Sequence, residues 1–76
     1  MDKYTHFAVM LATGKIVDGW EYDRDLTKSD IRYYTSMDLR DNFPDNKLKE
    51  FKVYTRKTLA NRGIDVMDFK NWQKVS

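Results

Sequence analysis

The side chains that could perform acid–base or nucleophilic chemistry are few and scattered in this chain. His6 is the only histidine and there is no cysteine, so no thiolate nucleophile and no Cys/His metal site can form. No serine or second histidine is spaced to complete a relay with His6. Asp38 and Asp41, which flank Arg40 on a predicted helix, are typical of a solvated helix face. We therefore expect no enzyme activity, no metal and no cofactor.

Two short segments resemble ligand-binding loops but lack essential residues. Residues 23–27 begin like a calcium-binding loop, yet Lys28 stands where the turn glycine is required and Tyr34 where the bidentate glutamate is required. Gly14 and Lys15 match the last glycine and the lysine of a phosphate loop, but Val9 stands where its first glycine is required. These segments predict a solvated strand end and a hairpin turn.

Basic and aromatic side chains alternate along the third predicted strand. Lys52, Tyr54 and Arg56 fall on one of its faces, and Trp20 and Tyr22 are expected to share that face. Such a surface is typical of sites for single-stranded nucleic acid, because phosphates pair with the cations and bases stack on the rings. The alternative is an ordinary solvated strand face, since Tyr and Lys suit β geometry.

Basic residues are concentrated in the second half of the chain. Residues 46–76 carry eight Lys and Arg against three acids, whereas residues 1–45 carry six against nine. This split is consistent with a basic surface for an acidic partner, with attraction between copies, or with ordinary variation in a short sequence. The candidate nucleic-acid contacts are Lys52, Tyr54, Arg56, Lys57 and Arg62.

The elements that must position these side chains begin with a hairpin over residues 4–22. Gly14 lies in its turn, where glycine can adopt a positive φ without strain. Thr27 and Asp30 form the capping box of a long helix, which Pro44 ends. The elements predicted after the hairpin are a helix over 28–42, a strand over 50–55 and short helices over 56–62 and 66–73.

These elements predict one small α+β domain with the order ββαβαα. A right-handed crossover through the long helix places the third strand beside the first, which gives a three-stranded antiparallel sheet of order 2-1-3. We expect all helices to pack on one face of this sheet and His6 to lie on the open face. Phe69 and Trp72 are expected to dock the last helix on the body.

Length and composition indicate a globular protein with a single core. The chain has 76 residues, of which 41% are hydrophobic and 14% aromatic. Its longest apolar run, residues 7–12, is far shorter than the ~20 residues that span a bilayer and is flanked wrongly for a signal peptide. We expect a complete cytoplasmic protein with no membrane partner.

Two segments resemble parts of short uncharacterised bacterial or mobile-element proteins. They are residues 13–22, TGKIVDGWEY, and residues 59–65, LANRGID. The resemblance implies no established activity, so it carries over no functional residue.

The lack of catalytic parts and the many aromatic side chains predict a non-enzymatic module that binds another protein or a second copy of itself. It would use an aromatic face of the sheet, an edge strand or a flank of the long helix, unless these rings complete the core. The alternative is a nucleic-acid-binding module that acts through the basic C-terminal half. An enzyme acting through acids alone would need a pocket that so short a chain can hardly build. The candidate interface residues are Trp20, Tyr22, Tyr33, Met37 and Tyr54.

Overall fold

The computed structural model of the protein describes residues 3–43 and 48–73. Three strands form one antiparallel sheet of order β2-β1-β3: β1 (His6–Met10), β2 (Lys15–Trp20) and β3 (Phe51–Thr55). Two α-helices accompany it, α1 (Lys28–Asn42) and α2 (Arg56–Asn61), and short 3₁₀ turns cover Leu48–Glu50 and Phe69–Asn71. The predicted α+β class and strand order are confirmed.

The β1–β2 hairpin closes at Gly14, whose φ of +71° is the left-handed conformation that favours glycine. Its N–H donates to the Met10 carbonyl over 2.8 Å. The strand register shifts between Ala8 and Val9. Ile16 and Val17 join core clusters on opposite faces of the sheet, as the alternation of a strand requires.

Helix α1 begins at the predicted capping box. The Thr27 hydroxyl accepts from the Asp30 N–H at 3.1 Å, and the Asp30 carboxylate accepts from the Thr27 N–H at 3.2 Å. Leu39 of α1 and the following Phe43 pack on the sheet face that carries Ala8. Pro44, which was predicted to end this helix, lies outside the described residues.

Helix α2 and the chain after it cover the other face of the sheet. Leu59 of α2 and the buried Val66 pack there against Phe7 and Val9 of β1. The prediction that all helices lie on one face is therefore wrong. The reason is visible in β1, where Phe7, Ala8 and Val9 are all buried, because a strand that is apolar on both sides requires cover on both.

The helix predicted over residues 66–73 is replaced by turns and an extended segment. The carboxylates of Asp65 and Asp68 each accept from an N–H two residues along, at 2.9 and 3.0 Å, and such bonds favour turns over a continuing helix. Trp72 then forms a parallel bridge to β2 and packs against the Phe7 cluster. Phe69, predicted to dock this segment as well, is 76% exposed.

Candidate functional site

Trp20 and Tyr22 lie under α1 rather than on an open sheet face. The Trp20 indole stacks on the Tyr22 ring with centroids 6.4 Å apart, and its Nε1 donates to an Asp38 carboxylate oxygen of α1 at 2.7 Å. The Tyr22 ring in turn stacks on Tyr34 of α1, also at 6.4 Å. These contacts fasten α1 above the β2 side of the sheet.

Two carboxylates lie close to these rings and shape their electrostatics. No described residue forms a hydrogen bond with the buried Tyr22 hydroxyl. Burial, together with the charges of Asp38 and Asp18, raises the pKa of Tyr22 to about 12. Burial also raises the pKa of Asp18, although its carboxylate accepts from the Gly19 N–H at 2.8 Å and from the Asn42 amide at 3.2 Å.

The candidate interface residues do not form one surface. Trp20 packs with the core cluster on the Ala8 face, whereas Tyr54 packs with the cluster on the Phe7 face. The expectation that these two rings share a face is wrong, because Trp20 pairs with His6 and Tyr54 pairs with Phe7, and adjacent residues of β1 point to opposite faces. Tyr33 and Met37, on α1, are 63% and 43% exposed.

The candidate nucleic-acid contacts are partly engaged within the protein. The Arg62 guanidinium lies 4.6 Å from the Tyr54 ring centroid and the Lys52 ammonium lies 5.5 Å from it. A nucleic-acid base would therefore compete with two cations for this ring. The Nε of Arg56 donates to the Tyr4 carbonyl at 3.0 Å.

A cleft of about 650 Å³ lies between α1 and β3, and the sequence patterns did not predict it. Helix α1 is held toward β2 by the hydrogen bond between Trp20 and Asp38, and among the described residues this leaves a gap beside β3. Apolar side chains from both walls line it: Ile31 and Leu39 of α1, Leu48, and Phe51 and Val53 of β3.

The charged side chains at this cleft are basic. They are Lys28 and Arg32 on α1 and Lys49 on the 3₁₀ turn, and none of the described acids lines the cleft. In the part of the chain that the structure describes, the side chains of Lys28, Arg32 and Lys49 form no ion pair or hydrogen bond. Such uncompensated positive charge attracts an anionic ligand.

His6 lines the cleft from β1, on the face covered by α1 and not on an open face as predicted. Its Nδ1 shares a hydrogen bond of 2.8 Å with the Thr5 hydroxyl. Its ring packs edge-on against the Tyr22 ring, with centroids 5.6 Å apart. Burial lowers the pKa of His6, because it disfavours the charged imidazolium.

The outer edge of β3 runs beside the cleft. Backbone hydrogen bonds from Leu11 to Glu50 and from Arg56 to Thr5 show that even-numbered residues of this strand pair with β1. The alternation of a strand then directs the N–H and C=O of Val53 away from the sheet. Among residues 3–43 and 48–73, none pairs with these two groups.

The opposite edge of the sheet is occupied near its start. At β2, Ile16 is bridged by Trp72 and its carbonyl accepts from the Gln73 N–H at 2.8 Å. The Gln73 side-chain oxygen also accepts from the Thr13 hydroxyl at 2.8 Å. The described C-terminal residues thus occupy the start of the β2 edge, whereas no described residue pairs with the outward groups of Val53 on the β3 edge.

No family model, curated protein or solved structure matches this chain. The resemblance to short bacterial or mobile-element proteins therefore stays a prediction. Three or more acidic or histidine side chains do not converge anywhere in the described residues to hold a metal ion. Within the same residues, no helix combines the length and apolar character needed to cross a membrane.

Proposed function

We propose that this domain is a protein-binding module that captures an extended segment of another polypeptide at the β3 edge. The observation that carries this proposal is the outward-facing backbone of Val53 beside the cleft between α1 and β3. Strand addition at an open edge supplies main-chain hydrogen bonds, and an adjoining cleft for alternate side chains supplies specificity. This module performs no chemistry on its partner.

The charge of the cleft favours a different protein over a second copy as the partner. Two copies paired through their β3 edges would bring their clefts together, and with them two sets of Lys28, Arg32 and Lys49. Like charges that face each other across paired strands are destabilising. Size-exclusion chromatography with light scattering tests this point, and we expect a monomer.

The proposal is tested by selecting displayed random peptides of about ten residues, the upper range of natural strand lengths. Selected peptides are then labelled, and their affinities for the wild-type protein and for Val53→Pro are compared by fluorescence anisotropy. Proline removes the outward N–H of Val53 without touching the β1–β3 hydrogen bonds, so edge strands tolerate it. One lost hydrogen bond is worth about 1 kcal/mol, so we expect affinity to fall about fivefold or more.

Val53→Ala is the matched control, because it shortens the same side chain and keeps the backbone donor. An NMR amide spectrum of each variant verifies that the sheet is intact. Selected peptides that bind Val53→Pro as tightly as the wild type would exclude strand addition at this edge. Failure to select any peptide would also count against the proposal.

The second candidate function is nucleic-acid binding through Lys52, Arg56, Lys57 and Arg62. It is supported by the position of the Lys52 and Arg62 cations around Tyr54, which concentrates positive charge at one ring. It predicts binding that weakens steeply with salt. Titration of labelled single- and double-stranded oligonucleotides at low salt tests it, and flat curves would exclude it.

A further inference from the structure

We infer that the segment captured at the β3 edge is acidic and inserts an apolar side chain into the cleft between α1 and β3. This inference rests on the proposed function and specifies the chemistry of its partner. It follows from the cleft lining, from the charges at both of its walls and from the alternation of side chains along an added strand.

The cleft can hold an apolar side chain. Its volume of about 650 Å³ lies in the range of ligand pockets, which are mostly apolar with a few polar groups at defined places. Ile31, Leu39 and Val53 contribute apolar surface from the two walls. A strand added beside β3 directs every second side chain toward α1, and hence into this space.

The surroundings of that side chain are positive on both walls. Lys28 and Arg32 stand on α1 and Lys49 stands on the 3₁₀ turn, and within the described residues none of these side chains has an anionic partner. Carboxylates beside the apolar anchor would supply that partner, whereas Lys or Arg there would be repelled.

The other face of the added strand would also meet positive charge. Side chains that point away from α1 approach the α2 side of β3, where the Lys52 ammonium and the Arg62 guanidinium surround Tyr54. Acidic side chains are thus favoured at both sets of positions. An acidic peptide fits better than a nucleic acid, because only a peptide backbone can pair with the N–H and C=O of Val53.

Three synthetic peptide pools of about ten residues, the upper range of strand lengths, test the inference. All three carry a single Leu at a central position, and the remaining positions are Asp/Glu, Ser/Thr or Lys/Arg, so that the charged residues reach both faces of the added strand. Fluorescence anisotropy measures the binding of each pool to the wild-type protein. Three exposed ion pairs together are worth about tenfold in affinity, so we expect the Asp/Glu pool to bind about tenfold tighter than the Ser/Thr pool.

Charge-removal variants locate the effect. Lys28→Gln, Arg32→Gln and Lys49→Gln are each expected to weaken binding of the Asp/Glu pool by about two- to fivefold and to leave the Ser/Thr pool unchanged. Lys57→Gln is the matched control, since it removes the same charge from an exposed position on α2, outside the cleft. These four side chains are exposed, so the variants are expected to fold.

The outcomes separate the inference from the proposed function. Equal binding of the Asp/Glu and Ser/Thr pools, with both weakened by Val53→Pro, would overturn the acidic preference and leave strand capture in place. Binding of no pool to the wild type would overturn both. If a thymidine oligonucleotide displaces the Asp/Glu pool, and Lys57→Gln but not Val53→Pro weakens that pool, the anion preference belongs to nucleic acid and the inference fails.

Discussion

Replacing Gly19 by alanine is expected to destabilise the fold, because the ring of Tyr4 occupies the place of a side chain. A Cβ at Gly19 would lie 2.9 Å from Cε2 and 3.2 Å from Cγ of that ring, whereas carbon atoms pack best at about 3.5–4.0 Å. The Tyr4 ring also packs edge-on against Phe7, with centroids 6.1 Å apart. It therefore cannot yield without loosening the core cluster on the Phe7 face.

The expected cost of Gly19→Ala is that of overpacking a core, about 1–3 kcal/mol in the free energy of unfolding. For a domain of this size each kcal/mol lowers the melting temperature by about 4–8 °C. The steric reasoning also predicts how Gly19→Ala changes the free energy of unfolding when the Tyr4 ring has been removed. With Tyr4→Ala already present, Gly19→Ala is expected to be neutral or to stabilise by up to about 1 kcal/mol, since glycine inside a strand is unfavourable relative to alanine.

The measurement is a double-mutant cycle of Gly19→Ala and Tyr4→Ala by urea denaturation, followed by far-UV circular dichroism. We expect a coupling energy of at least about 1 kcal/mol. Gly14→Ala is the control, because a Cβ there meets nothing within 4 Å and its cost comes from the φ of +71° alone. Its cost should be independent of Tyr4. If Gly19→Ala costs the same in both backgrounds, the collision with Tyr4 is not its cause.

Two further substitutions test the core and the buried phenol. Leu59→Ala removes a side chain that is 1% exposed and is expected to lower the free energy of unfolding by about 2–5 kcal/mol, measured by urea denaturation; a smaller loss would mean that α2 contributes little to the core. Tyr22→Phe removes a hydroxyl with no described partner, so at pH 7 it is expected to be neutral or to stabilise by up to about 1 kcal/mol. Because the pKa of Tyr22 is raised to about 12, its contribution to stability is complete below the unfolded pKa of about 10 and is lost as the pH rises through 12. Wild-type stability should therefore fall more steeply than that of Tyr22→Phe over this interval, and parallel curves would contradict the assignment.

The sequence predicted correctly those features that depend only on residues close together in the chain. The capping box of Thr27 and Asp30 and the turn at Gly14 depend on bonds within a few residues. The prediction of a helix over residues 66–73 was wrong, because the carboxylates of Asp65 and Asp68 close separate turns there.

The two-sided cover of the sheet and the cleft depend on contacts between distant residues. The apolar run of Phe7, Ala8 and Val9 in the sequence indicated cover on both faces, because adjacent residues of a strand point to opposite sides, and all three are buried. No pattern in the sequence indicated that α1 lies toward β2 rather than above the middle of the sheet. The helix is held by the bond from Trp20 to Asp38, across 18 positions of sequence, and no periodicity encodes such a pair.

The attachment of Trp72 and Gln73 at Ile16 makes the two edges of the sheet unequal. A subunit with two open sheet edges can add neighbours at both and so grow into a fibre. A subunit with one open edge can pair with only one neighbour in this way. By occupying the β2 edge at Ile16, the last described turn of the chain hinders the addition of a further strand at that place.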